Sequence, residues 1–289
     1  PVRLADEGYY IPREDPLASY LDIEAIVSAA KEVGADAVHP GYGFLSENAT
    51  FAKRLSEEGI GFIGPSYESL MLFGDKIAAR KAMSDAGIPV ARGTDEPISD
   101  VSEATNIAGD IGFPLMIKAA SGGGGIGMQI VSDPEDFEHS LGICQSRAAS
   151  AFGDDRVFIE KFIGDAEHIE CQVIADGKKA SHVGERFCSI QRRHQKIVEE
   201  GPWLSEDQRK EIGDLVVSGA EAIGYKGLAT FEFLRDSGGE FYFMEVNPRV
   251  QVEHTVTEMI SGIDLVSLGI RIASGEELNL KQDEIILQG

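Results

Sequence analysis

Residues 228–254 read LATFEFLRDSGGEFYFMEVNPRVQVEH, with two runs rich in aromatic and apolar residues on either side of a polar, glycine-containing segment. The segment DSGG at 236–239 has the residue types that favour chain reversal, so the stretch predicts an antiparallel β-hairpin. If the turn is symmetric, Arg235 lies opposite Glu240. This hairpin belongs to the region in which the longest predicted strands of the chain are found.

Acidic side chains share one face of this predicted hairpin. In the symmetric register Glu232 faces Phe243, Glu245 lies diagonally from Glu232 on the same face, and Asn247 continues that face. Two carboxylates and an amide among aromatic side chains are costly to bury unless a cation neutralises them. Hard oxygen ligands favour Mg²⁺ or Mn²⁺, usually bound together with substrate phosphates. A half-exposed sheet whose acids face water is the alternative interpretation.

The segment that follows the hairpin alternates in chemistry. Arg249, Gln251 and Glu253 occupy every second position, so an extended backbone would place a cation, an amide and a carboxylate on one face. This combination could hold a small anion and remove a proton from it.

A glycine loop lies between two other predicted strands, in FPLMIKAASGGGGIGMQIV at 113–131. Its consecutive glycines are Gly122, Gly123, Gly124 and Gly125. Glycine lets several backbone N–H groups approach a phosphate, which favours a mobile phosphate-covering loop, and Lys118 could place its ammonium against the same phosphates. The loop is neither a Walker A motif nor a Rossmann fingerprint, because no GK[ST] ends it and a strand follows it. A flexible hairpin with a solvated strand lysine is the alternative.

A basic stretch, QRRHQK at 191–196, stands out in an acidic chain. The 289 residues include 26 Lys and Arg against 49 Asp and Glu, for a formal net charge of −23. That balance argues against broad binding of nucleic acid or anionic membranes, so a bound polyanion requires a local cationic pocket. The basic stretch could supply one for phosphate or bicarbonate, or it could be a solvated loop paired with neighbouring acids.

Bulk properties indicate a soluble globular protein. Hydrophobic residues make up 43 % and charged residues 26 % of the chain, and no apolar run approaches the length of a membrane span. Its three cysteines, Cys144, Cys171 and Cys188, are widely spaced, which predicts neither a disulfide framework nor a zinc site and favours the cytoplasm. The absence of an initial Met and the final IILQG predict a fragment of a longer chain.

Hydrophobic periodicity divides the N-terminal part into helix–strand repeats. It predicts a helix over 20–33 behind Ser19 as its N-cap and another from Ser46 to Glu58, each followed by a short buried strand. Residues 1–65 therefore predict a parallel α/β unit.

Beyond residue 88 the pattern changes to mixed strands and helices. Short strands surround helices near 100–109 and 133–151, and longer strands then accompany helices across 205–222 and 255–273. The fold class predicted for the chain is therefore α/β followed by α+β.

Seven motifs, in this order and spacing, resemble the biotin carboxylase family. They are HPGYGFLSEN (39–48), GDK (74–76), IKAASGGGG (117–125), FIEKFI (158–163), QRRHQK (191–196), TFEF (230–233) and EVNPRVQVEH (245–254). The resemblance covers nearly the whole chain, and QRRHQK together with NxRxQVEH is its most specific part.

The resemblance implies a partial Rossmann-like pre-ATP-grasp unit followed by an ATP-grasp fold with a mobile glycine-loop lid. The corresponding segments are a pre-ATP-grasp domain at 1–65, a helical connection at 66–89, a lid at 90–162 and a C-terminal ATP-grasp subdomain at 163–289. The implied reaction is ATP- and bicarbonate-dependent carboxylation of carrier-bound biotin through carboxyphosphate.

The resemblance also implies a role for each motif residue. Those implied to bind ATP are Lys76, Lys118, Gly122, Gly123, Gly124, Gly125, Glu160, Lys161, Ile163, His168, Gln191 and His194. Those implied to bind the metal, Mg²⁺ or Mn²⁺, are Glu232, Glu245 and Asn247. Those implied to bind bicarbonate or biotin are Lys196, Arg249, Gln251, Val252 and Glu253, of which Lys196, Arg249 and Glu253 are catalytic. Glu253 is the implied base, and Arg249 is implied to stabilise the biotin enolate.

Implied partners are a biotin carboxyl carrier domain and a carboxyltransferase of an acyl-CoA or pyruvate carboxylase, on the same chain or on separate subunits, with a homo-oligomeric intact enzyme.

Three features depart from the family pattern. Ile126 stands where Lys or Arg is common, Pro248 stands where Thr, Ser or Ala is frequent, and the family's terminal regions are missing. The alternatives are another ATP-grasp ligase, such as a carbamoyl-phosphate synthetase, or an inactive nucleotide-binding fragment of a larger carboxylase.

Overall fold

The computed structural model describes residues 3–12, 15, 17–98, 100–121, 127–192 and 195–288. Its α-helices are α1 (Ile23–Glu32), α2 (Ala49–Glu57), α3 (Tyr67–Gly74), α4 (Lys76–Asp85), α5 (Val101–Ile111), α6 (Phe137–Phe152), α7 (Glu206–Ala222), α8 (His254–Ser261) and α9 (Leu265–Ala273). Its strands are β1 (Ala37–Val38), β2 (Gly61–Phe62), β3 (Leu115–Ala119), β4 (Met128–Val131), β5 (Val157–Lys161), β6 (Glu167–Asp176), β7 (Ala180–Arg192), β8 (Gln195–Glu200), β9 (Lys226–Arg235) and β10 (Phe241–Asn247).

The N-terminal unit is a parallel pair, β1 and β2, with α1 and α2 packed beside it. The predicted parallel α/β character is confirmed, but both predicted helix starts are wrong. Asp22 caps α1 and Asn48 caps α2, each by accepting a hydrogen bond from the backbone N–H three residues further on. Both caps come later in the chain than Ser19 and Ser46, because Ser19 lies within a short 3-10 helix (Ala18–Tyr20) and Ser46 within a turn, while an Asp or Asn adjoins each α-helix.

The middle of the chain forms a small antiparallel sheet in the order β4-β3-β5. Helices α5 and α6 cover one face, and their apolar residues bury a separate core with Leu115, Ile117 and Ile159. As predicted, two strands flank the glycine loop. Residues 122–126, which include Gly122, Gly123, Gly124, Gly125 and Ile126, lie outside the described residues.

The C-terminal part is built on a five-stranded antiparallel sheet in the order β10-β9-β6-β7-β8. Helix α7 packs on one face and contributes Ile212, Val216 and Ala220 to the largest core. Helices α8 and α9 lie on the opposite face, where Leu265 and Ile272 bury a second cluster against Ile174. Arg186 on strand β7 donates a hydrogen bond to Thr257 of α8 at 2.7 Å.

The hairpin of β9 and β10 is confirmed, but its predicted register is wrong. Arg235 pairs with Phe241, and a bulge between Phe243 and Glu245 then sets Glu232 directly opposite Glu245. The turn is longer than predicted because the Asp236 carboxylate accepts backbone N–H groups from both Gly238 and Glu240, which leaves Glu240 in the loop.

The predicted helix across 255–273 is two helices. Helix α8 ends at Gly262, which has a left-handed conformation with φ 71°, and α9 begins after Asp264, whose side chain accepts the backbone N–H of Ser267. A glycine stop followed by an Asp cap interrupts the helix although the apolar periodicity continues.

Among the helices of the described ranges, none combines the length and the apolar character needed to cross a bilayer.

Candidate active site

A cavity of about 880 Å³ lies between the three-stranded sheet β4-β3-β5 and the five-stranded sheet. Its polar and charged lining residues include Glu47, Lys76, Lys118, Ser121, His168, Gln191, Gln195, Lys196, Glu199, Glu232, Glu245, Asn247, Arg249, Gln251 and Glu253. Apolar lining comes from Phe73, Met128, Phe158, Met244, Val246 and Val252, among others. Charged groups from the regions around all three sheets therefore line the same cavity.

Glu232 lies at the floor of this cavity and is 4 % exposed. Its Oε1 accepts hydrogen bonds from Asn247 Nδ2 at 2.7 Å and from Gln251 Nε2 at 3.2 Å. Burial by itself raises the pKa of Glu232, but the His168 hydrogen bond and the charge of Lys196 outweigh it, so the pKa is well below its ordinary value. Glu232 is therefore held as a carboxylate.

Three carboxylates surround the ammonium of Lys196. It lies 2.9 Å from Glu232 Oε1, 2.9 Å from Glu253 Oε1, and also pairs with Glu170. Burial lowers the pKa of Lys196, yet these negative charges raise it above its ordinary value. The pKa of Glu253 is raised by burial and lowered more strongly by Lys196, with a net downward shift. Both groups therefore remain charged at neutral pH.

His168 and Gln191 form a polar wall above Glu232. One ring nitrogen, Nε2, lies 2.8 Å from Glu232 Oε2, and the other, Nδ1, lies 2.7 Å from Gln191 Nε2. Because the Gln191 amide nitrogen donates, Nδ1 accepts and Nε2–H donates to the carboxylate. The adjacent strands β6 and β7 thus bring together His168 and Gln191, which are 23 residues apart in the sequence.

Arg249 crosses the cavity rim toward the N-terminal unit. Its Nε donates to Glu47 Oε1, and its Nη2 donates to Asn247 Oδ1 at 3.0 Å. The predicted alternation of Arg249 with Gln251 and Glu253 brings all three side chains to this cavity. Since Glu253 directly precedes α8, the face is built by a turn and a helix start as well as by extended backbone.

Two further lysines reach the cavity, one from α4 and one from the three-stranded sheet. Lys76, the first residue of α4, pairs with Glu245, and Lys118 on β3 pairs with Glu160 on β5. Lys118 is 8 % exposed, so the alternative of a solvated strand lysine is wrong. Burial lowers the pKa of Lys76, but the Glu245 carboxylate raises it above its ordinary value.

The oxygen donors fit a hard divalent cation. Glu232 and Glu245 are directly paired across two strands, and the Asn247 amide bonds to Glu232. His168, Glu170 and Glu232 also offer ligand atoms within 4.8 Å of one another. Glu170, however, pairs through one oxygen with Arg186 and through the other with Lys196. The oxygens of Glu232, Glu245 and Asn247 suit Mg²⁺ or Mn²⁺, and the assignment of these three residues as metal ligands stays a prediction.

Sequence reasoning missed Glu170 and Arg186, which are both fully buried below Lys196. The Arg186 guanidinium donates to Glu170, Gln172, Thr230, Gln251 and Thr257. It thereby neutralises the charge of Glu170 and donates to the side-chain oxygen Oε1 of Gln251. The side-chain nitrogen Nε2 of Gln251 is then oriented to donate to Glu232. The one sequence feature that could have pointed to Arg186 is the charged pair Glu185-Arg186 in the middle of strand β7.

Some predicted residues lie away from the cavity lining. Glu160 contacts the cavity only through its ion pair with Lys118, and Ile163 follows β5 outside it. The ammonium of Lys161 donates to the backbone carbonyls of Gly112 at 3.1 Å and Phe113 at 3.0 Å. His194 lies outside the described residues, as does Arg193.

Family models match almost the entire chain. Residues 1–70 match "Biotin carboxylase, N-terminal domain", and residues 75–281 match "Carbamoyl-phosphate synthase L chain, ATP binding domain".

Related proteins carry the same family name. The chain is 49 % identical over 291 residues to the chloroplastic biotin carboxylase of Arabidopsis thaliana and 48 % identical over 292 residues to the biotin carboxylase of Haemophilus influenzae. Both alignments cover all of this chain, but only 54 % and 65 % of the relatives, respectively. The chain thus spans between about half and two thirds of the length of these proteins.

Solved structures agree with the observed fold. The biotin carboxylase domain dimer of Hydrogenobacter thermophilus 2-oxoglutarate carboxylase, in complex with MgADP, ADP and bicarbonate, has a TM-score of 0.95 at 47 % identity, over 100 % of this chain and 64 % of that one. A β-γ-ATP complex of biotin carboxylase from Campylobacter jejuni has a TM-score of 0.91 at 46 % identity, over 95 % and 62 %. The predicted fold class and the predicted resemblance are confirmed. The chain belongs to the biotin carboxylase family, with a biotin carboxylase N-terminal domain followed by an ATP-binding domain of the carbamoyl-phosphate synthase L chain type.

Proposed function

We propose that this chain carries the site for ATP- and bicarbonate-dependent carboxylation of biotin. The observation that supports it most is the juxtaposition, in one cavity, of a cationic pair, Lys196 and Arg249, with the carboxylates of Glu253 and Glu232. The cations suit a small anion, the Glu253 carboxylate can accept its proton, and the paired acids suit a divalent metal ion. The Hydrogenobacter structure in complex with MgADP and bicarbonate supports the same substrates.

In the first step bicarbonate binds between Lys196 and Arg249, with Gln251 and Val252 beside it. Glu253 accepts the bicarbonate proton while the bicarbonate oxygen attacks the γ-phosphorus of ATP. The bond from that phosphorus to the bridging oxygen breaks, so that ADP leaves and carboxyphosphate forms. Because Glu253 is held ionised by Lys196, the base is ready at neutral pH.

In the second step carboxyphosphate breaks into CO₂ and phosphate. Phosphate takes the ureido proton of biotin, the negative charge moves to the ureido oxygen beside Arg249, and the ureido nitrogen bonds to CO₂. Arg249 suits this role because Glu47, Asn247 and the Val250 carbonyl accept from its guanidinium and fix its plane, and a guanidinium has five N–H groups, more than these three contacts use.

Nucleotide binding is assigned to groups that come from two sides of the cavity. Lys76 and Lys118 would meet the phosphates, with the loop glycines Gly122 to Gly125 and His194 assigned by motif position, while His168 and Gln191 form the opposite wall. Glu160, Lys161 and Ile163 would lie at the adenine. Mg²⁺ or Mn²⁺, held by Glu232, Glu245 and Asn247, would neutralise charge on the transferring phosphoryl group.

Further partners follow from the same assignment. Biotin would arrive on a carrier domain, and a carboxyltransferase of an acyl-CoA or pyruvate carboxylase would accept the carboxyl group. The intact enzyme would be a homo-oligomer, in keeping with the Hydrogenobacter dimer. The buried free thiols of Cys144, Cys171 and Cys188 favour a reducing compartment such as the cytoplasm.

The test measures ADP release by the purified chain, and by a version extended to the length of its relatives, with MgATP alone, with bicarbonate, and with bicarbonate plus free biotin. We expect bicarbonate-dependent release that biotin stimulates. Glu245→Ala should reduce it by about 10²-fold or more because the metal and Lys76 lose a ligand and a partner. Glu240→Ala, in the exposed hairpin turn, is the matched control. Release that ignores bicarbonate in the extended protein would instead assign another ATP-grasp ligase.

A further inference from the structure

The root of the glycine loop is tied to the start of α4 by four side chains outside the cavity floor. These residues, Asp75, Ser121, Asp154 and Arg156, are here named the loop-root clamp. Ser121 is the last described residue before the loop, and its Oγ donates to Asp154 Oδ2 at 2.6 Å. Arg156 Nη2 lies 2.8 Å from that same Asp154 oxygen.

Arg156 connects this corner to α4. Its Nη1 lies 2.9 Å from Asp75 Oδ2, while the other oxygen of Asp75 accepts the backbone N–H groups of Ile77 and Ala78 at 3.0 Å each. Asp75 therefore caps α4 with one oxygen and binds Arg156, the residue before β5, with the other. A single carboxylate fixes both elements.

Backbone contacts follow the same path. The N–H of Lys76 donates to the carbonyl of Ala120 at 2.9 Å, and the N–H of Ala120 donates to the carbonyl of Arg156 at 2.9 Å. Asp75 and Ser121 also form a β-bridge. The ammonium of Lys76 meanwhile reaches Glu245 at the cavity floor, so the first residue of α4 is shared between the clamp and the cavity.

Electrostatics reinforce the clamp. Hydrogen bonds from Arg156 and Ser121 hold the pKa of Asp154 far below its ordinary value, and those to Asp154 and Asp75 raise the pKa of Arg156. Asp154 and Arg156 therefore stay charged at neutral pH. The Arg156 side chain is 44 % exposed, so salt should weaken the clamp more than it weakens the buried pairs of the cavity floor.

We infer that Arg156 is a positioning residue, which sets the distance between the root of the glycine loop and Lys76 and thereby the grip of the site on the nucleotide phosphates. This inference rests on the proposed function, because Lys76 matters only if phosphates bind there. Arg156 itself lies outside the cavity lining and acts through Asp75 and Asp154.

The test compares Arg156→Met and Ser121→Ala with Arg147→Met, a matched change at an exposed position of α6. Calorimetric titration gives the Kd for MgATP, steady-state kinetics separate KM from kcat, and amide hydrogen exchange without nucleotide follows Lys76 and Ala120. For Arg156→Met we expect Kd and KM for ATP to rise about fivefold, kcat to change by less than about twofold, and the two amides to exchange about tenfold faster. Salt added to the unmodified protein should reproduce the trend.

The proposed role of the loop-root clamp is wrong if Arg156→Met leaves the hydrogen exchange of the Lys76 and Ala120 amides unchanged, or if its ATP affinity equals that of Arg147→Met. A uniform acceleration of exchange over the whole chain would also overturn it, because that marks a general loss of stability. If the unmodified protein binds no ATP while the Lys76 amide still loses protection in the variant, the proposed function fails and the clamp geometry stands.

Discussion

Lys196 is the residue on which the charge balance of the cavity depends. Its ammonium pairs with Glu170, Glu232 and Glu253, and its charge lowers the pKa of Glu232 and of Glu253 in spite of their burial. A neutral side chain in its place would remove the cation that Glu232 and Glu253 share, while Arg186 stays paired with Glu170, and burial would then favour the protonated form of Glu232 or Glu253.

The pKa of Glu253 measures this effect. In the folded protein it lies below the ordinary value of 4.5 because Lys196 outweighs burial, so the pairing stabilises the fold above pH 4.5 and is lost as the pH falls through the lowered pKa. In Lys196→Met burial remains and the cation is gone, so we expect the pKa to move above 4.5. Carbon-13 NMR of labelled glutamate carboxyls gives the midpoint, with Glu253→Gln to assign the signal.

Lys196→Arg keeps the positive charge and should leave the Glu253 midpoint below 4.5. An unchanged midpoint in Lys196→Met would show that other groups, such as Arg186, suffice to hold the carboxylate ionised.

Single residues also show where sequence reasoning stops. Lys196, Arg249 and Glu253 were predictable because each belongs to a short motif with an evident chemistry. The pair Glu185-Arg186 within β7 marks Arg186 as unusual, but its role was not predictable, since its partners come from four other parts of the chain that only the folded structure brings together. Strand patterns reveal which side chains share a face, but they do not reveal which buried charges neutralise each other.

At the scale of elements, the predicted register of the β9–β10 hairpin is wrong, yet the prediction that Glu232 and Glu245 share one face of the hairpin is correct. The turn is one residue longer than predicted and the bulge at Met244 adds one more. Side chains alternate with a period of two, so two shifts of one residue return Glu245 to the side of Glu232. Neither irregularity has a signal in hydrophobic alternation. The Asp236 carboxylate sets the turn through local hydrogen bonds, whereas at the bulge the N–H of Phe243 donates to the carbonyl of Pro89, far away in the sequence.

The break between α8 and α9 carries an energetic prediction. Gly262 has φ 71°, and no neighbouring atom comes within 4 Å of the point that a Cβ would occupy, so an alanine there is penalised by backbone conformation alone. We expect Gly262→Ala to lower the free energy of unfolding by about 1 kcal/mol, measured by urea denaturation.

Gly142 offers the matched control for this prediction. It lies inside α6 with ordinary helical geometry and also has open space at its Cβ position. Gly142→Ala should raise the free energy of unfolding by roughly 0.5–1 kcal/mol, because alanine loses less conformational entropy in a helix. Equal effects of the two substitutions would show that the left-handed turn does not set the helix boundary.

At the scale of the whole molecule, each of the three sheets falls within one of the predicted segments 1–65, 90–162 and 163–289. The boundaries themselves stay a prediction. What the segments share is the cavity, whose lining includes Glu47 from the first, Lys118 from the second and Arg249 from the third. The site therefore depends on contacts between units that a pattern within one unit cannot predict.

The ion pair between Glu47 and Arg249 tests this dependence directly. Glu47 is 47 % exposed, so the pair adds little to stability, and we expect Glu47→Gln to change the free energy of unfolding by less than about 1 kcal/mol. It should nevertheless raise the KM for bicarbonate about two- to fivefold, because the guanidinium loses the partner that orients its plane.

Steady-state ADP release at varied bicarbonate measures this KM, preferably in the version extended to the length of the relatives. Glu57→Gln makes the same charge change on α2 of the same unit, away from the cavity, and should leave the KM unaltered. A lower KM in Glu47→Gln would mean that Glu47 competes with bicarbonate for Arg249. The N-terminal unit would then restrain the anion site, whereas a higher KM means that it completes the site by holding Arg249 in place.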